Sequence, residues 1–249
     1  MKLIVDTRAG IAGDIVIAGL IGLGADKRLI LSSIRKASEM LGEVTIESIV
    51  EDGINRVFIK IKSDYSHLGE DEIKKMLEDV LKTLELKSLY TAIAGKVLSV
   101  LCEAERYVHS NHPRLRMMIH KQGSKGKAVL HEAKDILVDV VGLVVGLESL
   151  GVEEIFYLDY INVGGGKVSF SHGEFDVPAP AVSYILNKYS FVWRTSNSLF
   201  EATTPTGVSI LAGIGARRMK EFNFSSVIRK SLAGGTRPLA PISFYLISN

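Results

Sequence analysis

The opening stretch Met1-Lys-Leu-Ile-Val-Asp6-Thr-Arg-Ala-Gly10-Ile-Ala-Gly13-Asp14-Ile-Val-Ile-Ala-Gly-Leu-Ile-Gly-Leu-Gly24 sets the fold class. Leu3, Ile4 and Val5 form a short continuous apolar run, the signature of a buried strand over Lys2–Asp6. Gly10 and Gly13 punctuate the chain, and Asp14 opens an apolar helix over Ile15–Leu23 that Gly24 can end. A strand feeding a glycine turn and then a helix belongs to α/β architecture. Working outward, a second helix is expected over Asp26–Leu41. Strands are expected over Val44–Val50 and Arg56–Ile61, joined by the turn Glu51-Asp52-Gly53.

Helices follow from Ser66 or Gly69 and over Lys87–Val108, the second with Leu89, Ile93, Val97, Val100, Leu101 and Ala104 on its apolar stripe. After a basic stretch come a strand at Ala128–Leu130, a helix over Ala133–Leu150 and a strand at Glu154–Val163. A hairpin over Lys167–Val177 leads to a helix at Ala181–Asn187 and an extended piece at Ser190–Arg194. A strand end near Phe200–Ala202, a helix at Thr206–Ile214 and strands at Ser225–Ser231 and Ile242–Ile247 finish the chain. Helices and strands alternate without a βαβ rhythm, so the expected fold is α/β of the mixed α+β kind, a mixed sheet with helices packed on it. The stretch Arg106–Lys127 carries six basic residues and three histidines, His109, His112 and His120, with no acid after Glu105. It suggests a boundary between an N-terminal α/β subdomain (1–120) and a motif-rich one (128–249), with one continuous domain as the alternative. Its basic residues, Arg114, Arg116, Lys121 and Lys125 among them, read either as an anion-attracting lid or as a plain solvated loop.

The 249 residues are 47% hydrophobic and 23% charged, a globular rather than disordered composition. A net charge of +2 gives no global argument for nucleic acid. Cys102, the single cysteine, reads as a small core residue of a chain in a reducing compartment. No apolar run reaches the ~20 residues of a membrane span, and no signal-peptide layout follows Met1, so a soluble, cytoplasmic location is expected.

Four constellations can carry chemistry. His131-Glu132, Asp135 and Asp139 come first; the two aspartates are four apart on one face of an apolar helix and repel unless a cation or donors meet them. Imidazole with carboxylates suits a first-row divalent metal; the plainer reading is a helix-start acid and an Asp–Arg pair. Gly164-Gly165-Gly166, followed by His172-Gly173, could turn amides toward an anion or merely make a tight hairpin. His172, between small residues, could bind metal or move protons. Glu201-Ala202-Thr203-Thr204-Pro205-Thr206-Gly207 offers hydroxyls and amides suited to phosphate, though helix capping explains Thr204 or Thr203 equally. Gly234-Gly235-Thr236-Arg237 adds a guanidinium, and Gly10-x-x-Gly13-Asp14 has the layout of a strand–turn–helix anion cradle without being a Walker motif.

Taken in order, these motifs resemble the LarC family of nickel-insertion proteins. The resemblance runs from Asp6-x-x-x-Gly10-Ile11-x-Gly13-Asp14 through Glu103-Ala104-Glu105-x-x-Val108-His109, Leu130-His131-Glu132 and Asp135-x-x-Val138-Asp139-x-Val141-Gly142. It is densest in Gly164-x-Gly166-x-Val168 and His172-Gly173-x-x-x-Val177-Pro178-Ala179-Pro180-Ala181, and it ends with the TPTG and GGTR motifs. The resemblance implies insertion of nickel, as substrate metal, into pyridinium-3,5-bisthiocarboxylic acid mononucleotide. A carbon–nickel bond forms, CTP is hydrolysed with manganese or magnesium, and the product is the nickel-pincer cofactor of lactate racemase. It implies His131, Glu132 and His172 as catalytic groups, and His131, Glu132, Asp135, Asp139 and His172 as metal ligands. Asp6, Gly10, Gly13, Asp14, Gly164, Gly165, Gly166, Thr204, Thr206, Gly207, Gly234, Gly235, Thr236 and Arg237 would hold the mononucleotide.

The departures are specific. Family members are longer and carry a C-terminal domain to which nucleotide binding is attributed, so a separate C-terminal nucleotide-binding chain is expected as partner; self-association stays open. Of the family's histidine-rich tract only His67-Leu68 remains. The His-Glu-Val-Gly-Ala-Val-Asp-Ser pattern appears as His131-Glu132-Ala133-Lys134-Asp135-Ile136, two residues short. The alternative function is a divergent, non-catalytic metal- or nucleotide-binding protein.

Overall fold

The structure, a computed structural model, describes residues 1–62, 67–111, 129–131, 133–170 and 173–248, without the side chains of residues 67, 129, 131, 133, 134 and 170. The described strands are β1 (Lys2–Val5), β2 (Glu43–Glu51), β3 (Ile54–Lys62), β4 (His67–Gly69), β5 (Val129–His131), β6 (Glu154–Leu158), β7 (Ile161–Gly164), β8 (Lys167–Phe170), β9 (Gly173–Asp176), β10 (Trp193–Thr195), β11 (Arg217–Met219), β12 (Val227–Ala233) and β13 (Ile242–Ile247). Seven of them form one sheet in the order β11-β6-β1-β13-β12-β3-β2. β1 runs parallel to β6 and antiparallel to β13, so the sheet is mixed, as the irregular alternation in the sequence predicts. Its strands come from both sides of residues 121–127.

The alternation in β1 divides the core. Leu3 and Val5 point with Phe244 and Leu246 into the main core, whereas Ile4 joins Tyr245, Leu158 and Ile247 in a smaller cluster. Period-two geometry on neighbouring strands causes this, because Ile4 sits opposite both Tyr245 and Phe156. Helix α1 (Gly13–Gly22) packs on β3, β12 and β13, with Gly19 pressed to the ring of Phe244. Helix α2 (Lys27–Glu39) is capped by the Asp26 carboxylate, which accepts from the Leu29 amide at 3.0 Å. Helices α3 (Glu70–Lys82) and α4 (Ser88–Asn111) follow, then α5 (Ala133–Leu150). From Ile136 to Leu147 every residue of α5 is buried, because α1, α2 and α4 surround it. Gly142 and Gly146 bring α5 close to Ile17 and Leu20 of α1. Helices α6 (Pro180–Lys188) and α7 (Pro205–Ile214) each carry proline in the first turn, where a missing N–H costs no hydrogen bond.

Three expectations change. The strand expected over Glu154–Val163 is broken at Asp159, whose φ of 52° turns the chain; β6 stays in the main sheet while β7 pairs with β10. The strand expected at Ser225–Ser231 starts later, at Val227, since Asn223 accepts from the Ser225 amide and holds a 3-10 turn over Phe224–Ser226. The short strand β11 has no signal in its sequence, Arg217-Arg-Met219, and exists only because β6 offers an edge. Cys102 is buried, as expected.

Candidate functional site

The turn that follows β1 is stitched to the segment before α7. The Ile11 amide donates to the Ala202 carbonyl at 2.9 Å, and the Thr204 amide donates to the Ile11 carbonyl at 3.0 Å. Gly10 makes this approach feasible: its φ is 102°, and a side chain there would overlap the Ala202 backbone. The starts of α1 and α7 are thereby fixed side by side, and Gly207 of α7 abuts the Ile11 carbonyl.

A cavity of about 440 Å³ opens beside them. The first turns of four helices face it: Gly13 and Asp14 of α1, Asp135 of α5, Pro180 and Ala181 of α6, and Pro205 and Thr206 of α7. Helix starts expose unpaired amides and partial positive charge, which suits an anion. Thr236 and Arg237, just beyond β12, close one side, and residues 57–60 of β3 form a wall.

Against that positive setting stand acids. Asp139 is only 8% exposed and lines the cavity. Burial, then the charges of Asp14 and Asp135, push its carboxyl well above the usual carboxylate range. Asp14 is also raised, chiefly by burial, while the Ile15 amide and the Arg237 charge pull the other way. Gly13 is required here, because a Cβ would overlap the Asp139 carboxylate. Arg237 donates to the Glu201 carbonyl at 2.6 Å and lies 3.3 Å from its buried carboxylate.

The cavity therefore gathers Gly13, Asp14, Asp135, Asp139, Thr204, Thr206, Thr236 and Arg237 from the expected site residues. Asp135 is exposed where Asp139 is buried, although they share a face. Thr204 caps α7, accepting from the Gly207 amide at 3.2 Å, and lines the cavity as well. Asp6 instead makes a two-point pair with Arg8, both bonds at 2.7 Å, outside the lining. Gly164, Gly165 and Gly166 pack against the backbone of residues 196–202. The Gly164 amide donates to Asn162 Oδ1 and the Gly165 amide to the Phe200 carbonyl, so these two amides serve the fold. Gly234 and Gly235 pass beside Arg56 and Ile15. Glu132, His172, the basic residues Arg114 to Lys127, His112 and His120 lie outside the described residues, as does the side chain of His131; its backbone in β5 is paired with that of His67 in β4. Among the described residues no group of three His, Cys, Asp or Glu side chains forms a metal site. Reading the sequence alone does not single out the wall of β3, and it places Glu201 at the head of the threonine-proline motif without giving it a role.

This is a mixed-sheet α/β protein that turns four helix starts, the acids Asp14, Glu105, Asp135, Asp139 and Glu201, and Arg237 onto one cavity. The chain belongs to the nickel insertion protein (LarC) family, whose description matches residues 3–243. It is 34% identical over 213 residues to a protein of Methanothrix thermoacetophila named "Putative nickel insertion protein", covering 84% of this chain and 49% of that one. It is 28% identical over 246 residues to the pyridinium-3,5-bisthiocarboxylic acid mononucleotide nickel insertion protein of Staphylococcus epidermidis, covering 91% and 58%. The chain thus spans about half the length of these relatives. No solved structure matches it. No described helix is long and apolar enough to cross a membrane.

Proposed function

We propose that this chain is the substrate-holding part of a cytoplasmic nickel-inserting cyclometallase acting on pyridinium-3,5-bisthiocarboxylic acid mononucleotide. The observation that carries the reading is the cavity, in which Arg237, Thr206, Thr236 and four helix starts meet Asp14 and Asp139. Its volume is in the range of small-molecule sites and suits a mononucleotide. The helix starts and Arg237 would take the phosphate, while Asp135 would face the incoming metal.

Nickel is the substrate metal. The substrate's own thiocarboxylate sulfurs supply soft ligands, which is consistent with a protein whose one cysteine is buried elsewhere. Carbon–nickel bond formation replaces a ring C–H bond and releases a proton. His131, Glu132 and His172 are proposed to receive that proton and, with Asp135, to guide nickel in. CTP, with manganese or magnesium, is proposed to bind the additional length found in relatives, supplied in cis or by a separate chain.

Incubating the protein with nickel, CTP, manganese and the sulfur-bearing mononucleotide, with and without the C-terminal half of a relative, tests the proposal. A nickel-containing product detected by mass spectrometry is expected. Its absence under both conditions would sink the reading, and metal or nucleotide binding without product would favour a non-catalytic binding protein.

A further inference from the structure

Three carboxylates are buried among the described residues: Glu70, Asp139 and Glu201. Glu70 meets Lys74 at 2.6 Å and Arg106 at 3.5 Å, and Glu201 meets Arg237. Among the described residues Asp139 meets neither a cation nor a hydrogen-bond donor, although it is more than nine-tenths buried and faces the cavity. Its carboxylate is pressed against Gly13, one residue before Asp14, which lines the same cavity. Leaving a buried carboxylate without compensation is costly, and a second acid beside it raises the cost. A cation held between the two acids offsets that cost.

We propose that Asp14 and Asp139 together hold a hard divalent cation, magnesium or manganese, that anchors the phosphate of a mononucleotide in this cavity. This ion is additional to the nickel being inserted and to the ion that accompanies CTP. The donor set fits it, being carboxylate oxygen from two side chains with hydroxyls nearby and no sulfur or imidazole among the described lining residues. A full cage of three protein ligands is not needed. Magnesium-type ions keep water and take one or two carboxylates plus phosphate oxygens. The phosphate half of the site is present too, since the start of α7, Thr206 and Arg237 lie across the same cavity. The proposal rests on reading this cavity as the mononucleotide site, but it concerns a different ion.

The test titrates the full chain with manganese(II) alone, followed by electron paramagnetic resonance of the free ion, and then with nicotinic acid mononucleotide as a pyridine mononucleotide probe. One manganese per chain is expected, bound more tightly with the mononucleotide present, as linkage requires. Asp14→Asn and Asp139→Asn should each weaken manganese at least about tenfold while the circular dichroism spectrum stays native. Arg237→Gln should abolish the tightening by mononucleotide. No manganese bound by the wild-type chain, or wild-type affinity in either aspartate variant, overturns the site; tightening that survives Arg237→Gln overturns the phosphate anchor. Should Asp139→Asn fail to fold, Asp14→Asn decides, because that side chain sits at a helix start. Failure of nickel insertion with manganese binding intact would count against the cyclometallase reading alone.

Discussion

Asp139 shows what one residue can dictate. It lies in the middle of Val138-Asp139-Val140-Val141, on a helix whose other residues there are all buried, and its ionisation works against the packed state. Burial and the neighbouring acids raise its proton affinity in the folded chain above that in the unfolded chain. The native state therefore binds this proton more tightly between the ordinary carboxylate range and the raised folded value. The resulting stability is fully present below that window and is lost as pH rises through it. Asp139→Asn should remove the loss: urea unfolding without divalent ions should show a flatter pH dependence and a higher stability than wild type at pH 8. An unchanged difference from wild type between pH 5 and pH 8 would refute this. Cys102 behaves oppositely, as a group made inert. Burial first, then the Glu70 charge, pushes its thiol up to about 12, so the native protein should resist thiol reagents at pH 8 and react fully only in denaturant.

At the scale of elements, the turn after β1 and the start of α7 act as one unit. Thr204→Ala removes the side chain that accepts from Gly207 and should cost about 1 kcal/mol in denaturant unfolding. Gly10→Ala is more severe, because it combines a φ of 102° with overlap against the Ala202 backbone. A loss on the order of 3 kcal/mol is expected, together with weaker ligand binding as the two helix starts separate. If Gly10→Ala matched wild type in both measurements, the stitched turn would not be what positions the cavity.

For the whole molecule, the sheet interleaves strands from either side of residues 121–127, with β2 and β3 at one end and β11, β6 and β1 at the other. Hydrophobic burial spans both halves, so a single transition is expected in calorimetry rather than two. Two well-resolved transitions would argue for independent subdomains.

What the sequence by itself determined was local. Apolar runs and period-two alternation marked β1 and the β2–β3 hairpin, 3.6-residue periodicity marked α4, and α5 was bounded at Ala133 and Leu150. Acids, threonines and an arginine set among glycines marked Asp14, Asp139, Thr204, Thr206, Thr236 and Arg237 as candidates, and all six line one cavity. Only the tertiary structure decided that β13 lies between β1 and β12, that Asp159 divides one expected strand, and that Arg217–Met219 is a strand at all. It alone joined Asp139 to Asp14 and Arg237 to Glu201, and turned four helix starts to one cavity. Turns, caps and faces are set by neighbours a few residues away and can be read along the chain. Strand order and the burial of a carboxylate depend on contacts more than a hundred residues apart, whose energies exist only once the core has closed.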